Sequence, residues 1–205
     1  MSARWLCGVD EAGRGPLAGP VYAAAVVLGP KGEAIAGIDD SKKLSAAKRE
    51  SLAALIERDA LAWAVCAVDV ATIDRINILQ ATLQGMFEAV IAAVERASEP
   101  INLAQIVIDG TQIPRALKPW CEAHEVELIA LPRADATVKA VAAASILAKT
   151  ARDAYMIALD RDFPQYGFAA HKGYGSARHM AAIEAHGPCP HHRMSFAPMS
   201  QRALF

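Results

Sequence analysis

Apolar residues along the chain follow two periodicities, one typical of buried strands and one typical of amphipathic helices. Short apolar runs bounded by glycine, proline or acidic residues predict strands, and longer runs with helical spacing predict helices. The predicted strands are residues 5–10, 20–28, 61–68, 106–109 and 126–131. The predicted helices are residues 45–59, capped by Ser45, 77–97, 137–160 and 176–186, with a loop over 161–175 and a tail from Gly187.

The order of these elements predicts an α/β fold. Only about ten residues separate the first two strands, and a parallel crossover needs a dozen or more, so this pair is predicted to be antiparallel. Strands alternating with helices predict a mixed β-sheet flanked by helices, followed by a helical C-terminal extension. We place the catalytic domain at residues 1–160 and the extension at 161–205, together forming one compact unit.

Composition narrows the class of protein. No segment holds about eighteen consecutive apolar residues, so no membrane span is expected. The N-terminus lacks the basic start and apolar stretch of a signal peptide. The four cysteines are widely spaced and form no Cys-x-x-Cys pair. The sequence therefore suggests neither a zinc site nor a disulfide framework, and it predicts a cytoplasmic protein.

Charge is distributed unevenly along the chain, although the net charge is only −1. Residues 1–132 carry 12 Lys and Arg against 17 Asp and Glu, a balance of −5, whereas residues 133–205 carry 9 against 5, a balance of +4. The second segment also holds five of the six histidines. This asymmetry is compatible with a basic end that meets a polyanion.

Acidic residues stand at the boundaries of several predicted elements. Asp10 and Glu11 close the first strand, Asp109 closes a later one, and Asp135 precedes the alanine-rich helix. If the strands of Asp10 and Asp109 are neighbours, they lie about 4.8 Å apart, and their carboxylates could share one or two divalent cations. For each acid alone, a solvated loop carboxylate or a helix cap remains the alternative, and spacing does not decide between them.

Two glycine-rich segments suggest competing chemistry. Gly13-x-Gly15-x-x-x-Gly19 follows a strand, as in a dinucleotide fold, but the third glycine is displaced and the next element reads as a strand rather than a helix. The second segment, Gly173 to Ser176, leads into a helix whose N–H groups could receive a phosphate. An ordinary turn and helix cap is the alternative there.

Several sequence blocks resemble bacterial ribonuclease HII, and they follow the order of that family over nearly the whole chain. The most specific block is Gly8-Val9-Asp10-Glu11-Ala12-Gly13-Arg14-Gly15-Pro16-Leu17-Ala18-Gly19-Pro20-Val21. The other blocks are Asp40 to Ser45, Asn77 to Thr82, Ile108 to Gly110, Ala142 to Lys149, Tyr166 to Phe168, His171 to Gly175, His179, and Ser195 to Pro198. The sister type, ribonuclease HIII, normally has an extra N-terminal domain, whereas the signature here begins at Gly8, which favours HII.

The resemblance implies a fold and an activity. The fold is RNase H-like with a C-terminal helical extension, and the activity is an endonuclease that depends on Mn²⁺ or Mg²⁺. The implied substrates are RNA–DNA hybrids and duplex DNA with a single embedded ribonucleotide, cut on its 5′ side to leave 3′-hydroxyl and 5′-phosphate ends. A monomer is the simplest expectation, and nothing in the sequence supports a sliding-clamp partner.

Residue roles carry over to the matching positions. The implied catalytic and metal-holding carboxylates are Asp10, Glu11, Asp109 and Asp135. The implied sensor of the ribose 2′-hydroxyl is the turn Gly13, Arg14 and Gly15, and Tyr174 is implied to stack on the sugar at the RNA–DNA junction. The resemblance also implies contacts to the nucleic-acid backbone from Ser41, Lys42, Lys43, His171 and Lys172. Exposed lysines before a helix, and an aromatic ring packed under a loop, are the structural alternatives.

Three positions depart from the family pattern. Ala134 stands where glycine usually precedes the fourth acid, Gly85 occupies a usual alanine position, and Met194 replaces a basic residue. Gly85 should cost roughly 1 kcal/mol in a helix interior. The change at Met194 puts a phosphate contact of the tail in doubt. A hybrid-binding module without catalysis and a nicotinamide-dependent enzyme are the two functions that compete with a nuclease.

Overall fold

The computed structural model describes residues 3–202, with a five-stranded mixed β-sheet at the centre of this segment. The strands are β1 (Trp5–Ala12), β2 (Val21–Val27), β3 (Ala62–Val68), β4 (Leu103–Asp109) and β5 (Glu127–Leu131). Their order across the sheet is β3-β2-β1-β4-β5. The predicted antiparallel pairing of β1 with β2 is confirmed, and β4 runs parallel to both β1 and β5.

Helices cover both faces of this sheet. In chain order they are α1 (Gly29–Glu33), α2 (Ala46–Asp59), α3 (Val70–Ile76), α4 (Ile78–Glu95), α5 (Leu117–Ala123), α6 (Lys139–Asp162), α7 (Phe168–His171), α8 (Ala177–His186) and α9 (Met199–Arg202). α4 packs on β2 and β3, and α6 packs on β1 and β2 from the other side. The sequence predicted α2, α4, α6 and α8, but it missed the shorter helices because seven residues or fewer do not establish a helical period.

Side-chain caps fix where three of the longer helices begin. The Ser45 hydroxyl accepts a hydrogen bond from the amide of Lys48 at 3.3 Å, which confirms the predicted cap of α2. Asn77 caps α4 in the same way, through the amide of Gln80 at 3.1 Å. Ser176 accepts from the amide of His179 at 3.3 Å, so the glycine-rich segment before α8 ends in a helix cap.

α4 is long and apolar enough to cross a membrane by length and composition alone. Its apolar face instead packs on the sheet, where Met86, Ala89 and Val90 are buried against β1, β2 and β3. The core helix of a globular domain satisfies the same criterion, and the packing of α4 is of this kind.

The close approach of α6 to β1 depends on Gly8. A Cβ atom at Gly8 would lie 2.2 Å from the carbonyl carbon of Ala140, where no real side chain fits. Alanines on the facing side of α6, including Ala143 and Ala144, are fully buried. This contact places Ser145 of α6 beside the end of β1, where the first two acids lie.

Residues after α6 pack against the turn that joins β1 to β2. Tyr166, Phe168 and Ile183 form an apolar cluster with Met156 of α6, and Ala18 belongs to the same cluster. Ala18 also pairs with His192 in an isolated antiparallel bridge. The predicted extension therefore contacts the N-terminal part of the chain directly, and a boundary at residue 160 stays a prediction.

Candidate active site

The four acids singled out in the sequence lie at one edge of the sheet. Parallel pairing sets Val9 opposite Ile108, so the residues that follow them, Asp10 and Asp109, are neighbours on adjacent strands. Asp135 lies in a 3₁₀ turn after β5. This turn is tied to Asp109, because the amide of Ala134 donates to Asp109 Oδ1 at 2.7 Å.

Asp10 is nearly buried, with 4% of its surface exposed. Its carboxylate accepts hydrogen bonds from the amide of Glu11, at 2.7 Å, and from the side chain of Ser145. Burial raises the pKa of Asp10 well above its ordinary value, and the neighbouring charges of Glu11 and Asp109 raise it further. Ionised Asp10 therefore experiences repulsion that a bound cation would relieve.

Glu11 points to the opposite face of β1, because successive strand residues alternate between faces. Together with Asp109 it lines a cleft of about 150 Å³ against α4. Arg14 Nη1 lies 3.6 Å from Glu11 Oε1. Burial raises the pKa of Glu11 although the charge of Arg14 opposes this shift.

Asp135 is also buried, with 5% of its surface exposed, and it faces a lysine at the rim of the site. Lys42 Nζ lies 3.6 Å from Asp135 Oδ2, while most of the lysine side chain is in solvent. Burial lowers the pKa of Lys42, but the charges of Asp135, Asp10, Asp40 and Asp109 outweigh it, and the net pKa is raised. For Asp135, burial and the charge of Asp109 raise the pKa.

The donor set fits a hard divalent cation. All four groups are carboxylates, and hard cations prefer oxygen ligands. The pKa values of Asp10, Glu11 and Asp135 are raised by burial together with neighbouring negative charge. Within residues 3–202, no three acidic, histidine or cysteine side chains converge closely enough to hold one ion as they stand. The opposite orientations of Asp10 and Glu11 on β1 are one physical reason.

The glycine-arginine-glycine turn and Tyr174 lie against each other beside these acids. Gly13 has φ +101°, and a Cβ atom there would lie 2.1 Å from Arg152 Nε, so only glycine fits. A Cβ atom at Gly15 would lie 3.6 Å from Cε1 of the Tyr174 ring. Tyr174 is 49% exposed, so the structure favours an accessible aromatic face over a ring packed under a loop.

The other residues predicted to contact the nucleic-acid backbone differ in how exposed their side chains are. Lys43 is exposed and pairs with Asp39 at 2.9 Å. Ser41 is buried, and its hydroxyl lies 2.7 Å from the hydroxyl of Ser145, so it helps to position Ser145, and a contact of Ser41 with nucleic acid stays a prediction.

His171 and Lys172 are engaged within their own loop. His171 Nδ1 accepts from the amide of Gly173 at 3.2 Å, and its Nε2 therefore carries the proton and donates to the carbonyl of Tyr166 at 2.8 Å. Lys172 Nζ donates to the carbonyl of Ala169. These contacts hold the loop in shape, and direct contact with nucleic acid stays a prediction for both residues.

Sequence reasoning assigned no role to three polar residues that surround the site. Ser145 hydrogen-bonds Asp10, and the guanidinium groups of Arg152 and Arg193 are buried behind the β1–β2 turn. Ser145 and Arg193 lie within or beside blocks that resemble the family, but nothing in their spacing indicates which atoms they meet. Arg152 stands in an ordinary amphipathic helix pattern.

The three departures from the family pattern are accommodated locally. Ala134 begins the 3₁₀ turn, and the positive φ of this segment falls on Arg133, so position 134 does not require glycine. Gly85 faces β2 and β3, where a Cβ atom would lie 3.1 Å from Val68 Cγ2. Met194 is exposed, and its amide donates to Asp74 Oδ2 at 2.9 Å.

The dinucleotide alternative is not supported by the topology. The glycine-rich turn leads into β2, a strand antiparallel to β1, whereas a dinucleotide fingerprint must open a helix.

Comparisons with known proteins identify the family of this chain. A family model described as Ribonuclease HII matches residues 7–199. The chain is 54% identical over 206 residues to the ribonuclease HII of Chromobacterium violaceum, covering 98% of this chain and 97% of the relative. It is 52% identical over 198 residues to that of Laribacter hongkongensis, covering 97% and 93%.

Solved structures show the same fold. The ribonuclease H2 of Pyrococcus horikoshii superposes with a TM-score of 0.73 at 25% identity, covering 96% of each chain. The RNase HII of Archaeoglobus fulgidus, solved in a PCNA:RNase HII complex, superposes with a TM-score of 0.73 at 26% identity, covering 92% of each chain. The chain therefore belongs to the ribonuclease HII family and is a ribonuclease H, a hydrolase acting on the RNA of RNA–DNA hybrids.

Proposed function

We propose that this enzyme also incises duplex DNA on the 5′ side of a single embedded ribonucleotide. The observation that carries the proposal is the proximity of Gly15 to the exposed ring of Tyr174, because a Cβ atom at Gly15 would lie 3.6 Å from Cε1 of that ring. The turn would bind the ribose, and the Tyr174 ring would stack on the neighbouring deoxyribose. A long hybrid has no such junction, so an exposed aromatic face at this point favours a junction substrate.

The turn is suited to recognising a 2′-hydroxyl. That hydroxyl is both a donor and an acceptor, and it is the group that distinguishes RNA from DNA at a site. Glycines at positions 13 and 15 allow main-chain atoms to approach it closely. Arg14, held near Glu11, places a positive charge beside the same sugar-phosphate.

Lys42 and Lys43 would contact phosphates and position the duplex. Both lie at the rim of the site with exposed ammonium groups. Such contacts add salt-dependent affinity and carry no sequence information. This division of labour suits an enzyme whose target is a sugar and not a base sequence.

We further propose a two-metal reaction in which Asp10, Glu11, Asp109 and Asp135 would hold Mg²⁺ or Mn²⁺ at the edge of the sheet. Bound divalent cations would supply charge stabilisation of the phosphoryl transition state and a water nucleophile at neutral pH. Ser145 and the amide of Glu11 orient the Asp10 carboxylate through their hydrogen bonds. Water adds to phosphorus and the O3′–P bond breaks, leaving a 3′-hydroxyl upstream and a 5′-phosphate on the ribonucleotide.

A labelled duplex with one ribonucleotide tests the proposal. Incubation with Mg²⁺ or Mn²⁺ should give one cut, 5′ of the ribonucleotide, with a 3′-hydroxyl end, and EDTA should abolish it. An all-DNA duplex of the same sequence is the control. Cleavage of a long hybrid without any cut at the single ribonucleotide would refute the proposal, and EDTA-insensitive cleavage would refute its metal dependence.

Tyr174→Ala tests the junction contact. Removal of the ring should lower cleavage at the single ribonucleotide by about tenfold, if the lost sugar contact is on the scale of the ~1–3 kcal/mol of base–aromatic stacking. Cleavage of the long hybrid should fall less. Tyr174→Phe, which keeps the flat face, is the matched control and should stay close to wild type. Equal losses on both substrates would contradict the stacking role.

Three expectations about partners and location stay predictions. The monomeric state and the cytoplasmic location are two of them. The third concerns a sliding clamp, which the sequence does not support; the A. fulgidus relative was solved with PCNA, and a clamp contact of this chain is proposed on that ground alone. A non-catalytic hybrid-binding module is disfavoured by the intact acids, and the EDTA arm of the assay decides it.

A further inference from the structure

Arg193 is buried without a carboxylate partner. Its surface exposure is 0%, and no acidic oxygen within the described part of the chain forms an ion pair with it. Burial lowers its pKa to about 9, and the nearby charge of Arg152 contributes to this shift. The guanidinium is therefore still charged at neutral pH. A buried cation of this kind is costly unless its donors are fully used.

The donors of Arg193 are all used on the turn between β1 and β2. Nη2 donates to the carbonyls of Gly13, at 2.6 Å, and Gly19, at 2.7 Å. Nη1 donates to the carbonyls of Arg14, at 2.9 Å, and Pro16, at 2.8 Å. Nε donates to the carbonyl of Gly19 at 3.0 Å. A guanidinium has five N–H groups, so every one of them fixes the backbone of the turn.

His192, the residue before Arg193, is linked to Tyr174 through a chain of hydrogen bonds. The amide of Cys189 donates to His192 Nδ1 at 2.9 Å, so the ring proton sits on Nε2. His192 Nε2 donates to His179 Nε2 at 3.0 Å. His179 Nδ1 then donates to the carbonyl of Tyr174 at 2.9 Å. Burial lowers the pKa of His192 to about 4, so this ring is neutral at neutral pH. Its Nδ1 can therefore accept a hydrogen bond while its Nε2 donates one.

Backbone bonds join the same three segments. The amide of Arg193 donates to the carbonyl of Leu17 at 2.8 Å, and the amide of Leu17 donates to the carbonyl of Gly173, also at 2.8 Å. The amide of Gly19 donates to the carbonyl of His191 at 2.9 Å. The turn at residues 13–19, the loop at residues 173–174 (the Tyr174 loop) and residues 191–193 thus form one hydrogen-bonded unit.

We infer that His192 and Arg193 are positioning residues that set the enzyme's selectivity for the RNA–DNA junction. Arg193 fixes the turn that would read the 2′-hydroxyl, and His192 fixes, through His179, the backbone of the tyrosine that would stack on the next sugar. The inference rests on the proposed function. Neither residue touches the reacting atoms, so their replacement should alter discrimination more than the chemistry itself.

The readout is a ratio of two specificity constants. One is kcat/KM for a duplex with a single ribonucleotide, and the other is kcat/KM for a long RNA–DNA hybrid. A lone ribonucleotide offers one 2′-hydroxyl and one junction, whereas a hybrid offers a 2′-hydroxyl at every register. Displacement of the turn or of Tyr174 should therefore lower the ratio, and small displacements of positioned groups cost up to about a hundredfold in rate.

Two variants and one control make up the experiment. Arg193→Lys keeps the charge but cannot bond all the carbonyls, and His192→Phe keeps an aromatic ring beside Tyr166 and Phe168 but loses the donor chain. Each should lower the ratio by about tenfold or more. Arg58→Lys, on an exposed arginine paired with Asp59, should leave both constants unchanged.

The outcomes separate the inference from the proposed function. If the wild type does not cut at a single ribonucleotide, the proposed function fails. If the wild type cuts there and the folded variants keep the wild-type ratio, the positioning role is wrong. Should Arg193→Lys fail to fold, as judged by thermal melting, the ratio for His192→Phe decides, and amide hydrogen exchange of residues 13–19 in that variant reports whether the unit has loosened.

Discussion

At the scale of single residues, two of the carboxylates that form the site are almost fully buried. Asp10 and Asp135 are buried, and burial with neighbouring negative charge raises the pKa of both. A group whose folded pKa is raised favours the protonated state, so its ionised form lowers the stability of the metal-free protein at neutral pH. The enzyme thus keeps a destabilising charge where a cation would be needed.

Asp10→Asn should separate activity from stability. Cleavage of both substrates should fall by about a thousandfold or more, because a ligand charge worth several kcal/mol is removed. The metal-free protein at pH 7 should instead melt about 2–4 °C higher per kcal/mol of repulsion relieved. Thermal melting after EDTA dialysis and single-turnover cleavage measure the two effects. Asp59→Asn, at a partly exposed acid paired with Arg58, is the control and should do neither.

At the scale of elements, the contact between β1 and α6 brings the acids and Ser145 together. Gly8 permits it, because a Cβ atom there would lie 2.2 Å from the backbone of Ala140. On the other face, Gly85 of α4 leaves more room, because a Cβ atom there would lie 3.1 Å from Val68 Cγ2 and 3.4 Å from Ala23 Cβ. A side chain at position 8 would therefore clash with backbone, whereas one at position 85 would meet only side chains at close range.

Gly8→Ala and Gly85→Ala form a matched pair. Gly8→Ala should destabilise by about 3 kcal/mol or more, since overpacking against backbone has no side chain that can yield. Gly85→Ala should stay within about 1 kcal/mol of wild type, because better helix propensity offsets a tight but yielding contact. Urea unfolding of the two variants gives both values. Similar losses for the two would contradict this account of the β1–α6 contact.

At the scale of the whole molecule, residues 191–193 return to the turn between the first two strands. They pair with Ala18, bond the carbonyls of that turn through Arg193, and reach the Tyr174 loop through His192. Three parts of the chain that are far apart in sequence are therefore held in one geometry. The selectivity of the enzyme and the stability of this unit should respond to the same perturbations.

Acid pH should weaken this unit through His192. Its pKa is about 4 in the folded protein and about 6.5 when exposed, so the unfolded chain binds more protons between these values. The contribution of the neutral His192 ring to the free energy of unfolding is complete above pH 6.5, and it is lost as the pH falls toward 4. His179, whose pKa burial also lowers, should contribute in the same direction.

Melting temperatures of the wild type and His192→Gln, measured without metal from pH 7.5 to 4.5, test this expectation. The variant lacks the titrating ring, so the difference between the two proteins should be largest at pH 7.5 and should narrow on acidification. The carboxylates of the site titrate in both proteins and cancel in the difference. A gap that does not change with pH would contradict the assignment.

The sequence by itself determined the long elements, the antiparallel start of the sheet and the acids at its edge. Long helices such as α4 and α6 carry enough periods to be read locally, and the connection before β2 is too short for a crossover. The block from Gly8 to Val21 is specific enough to indicate the family, which the comparisons confirmed.

Only the tertiary structure decided which polar residues serve the site. The Ser41 hydroxyl bonds Ser145 and the His171 ring bonds the carbonyl of Tyr166, partners that the sequence does not indicate, while contact of either residue with nucleic acid stays a prediction. Arg193 had no assigned role, yet its guanidinium holds the carbonyl of Gly13, 180 residues away in sequence. A guanidinium or an imidazole bonds whatever the fold brings near it, and such long-range partners leave no periodic or spacing signal in the chain.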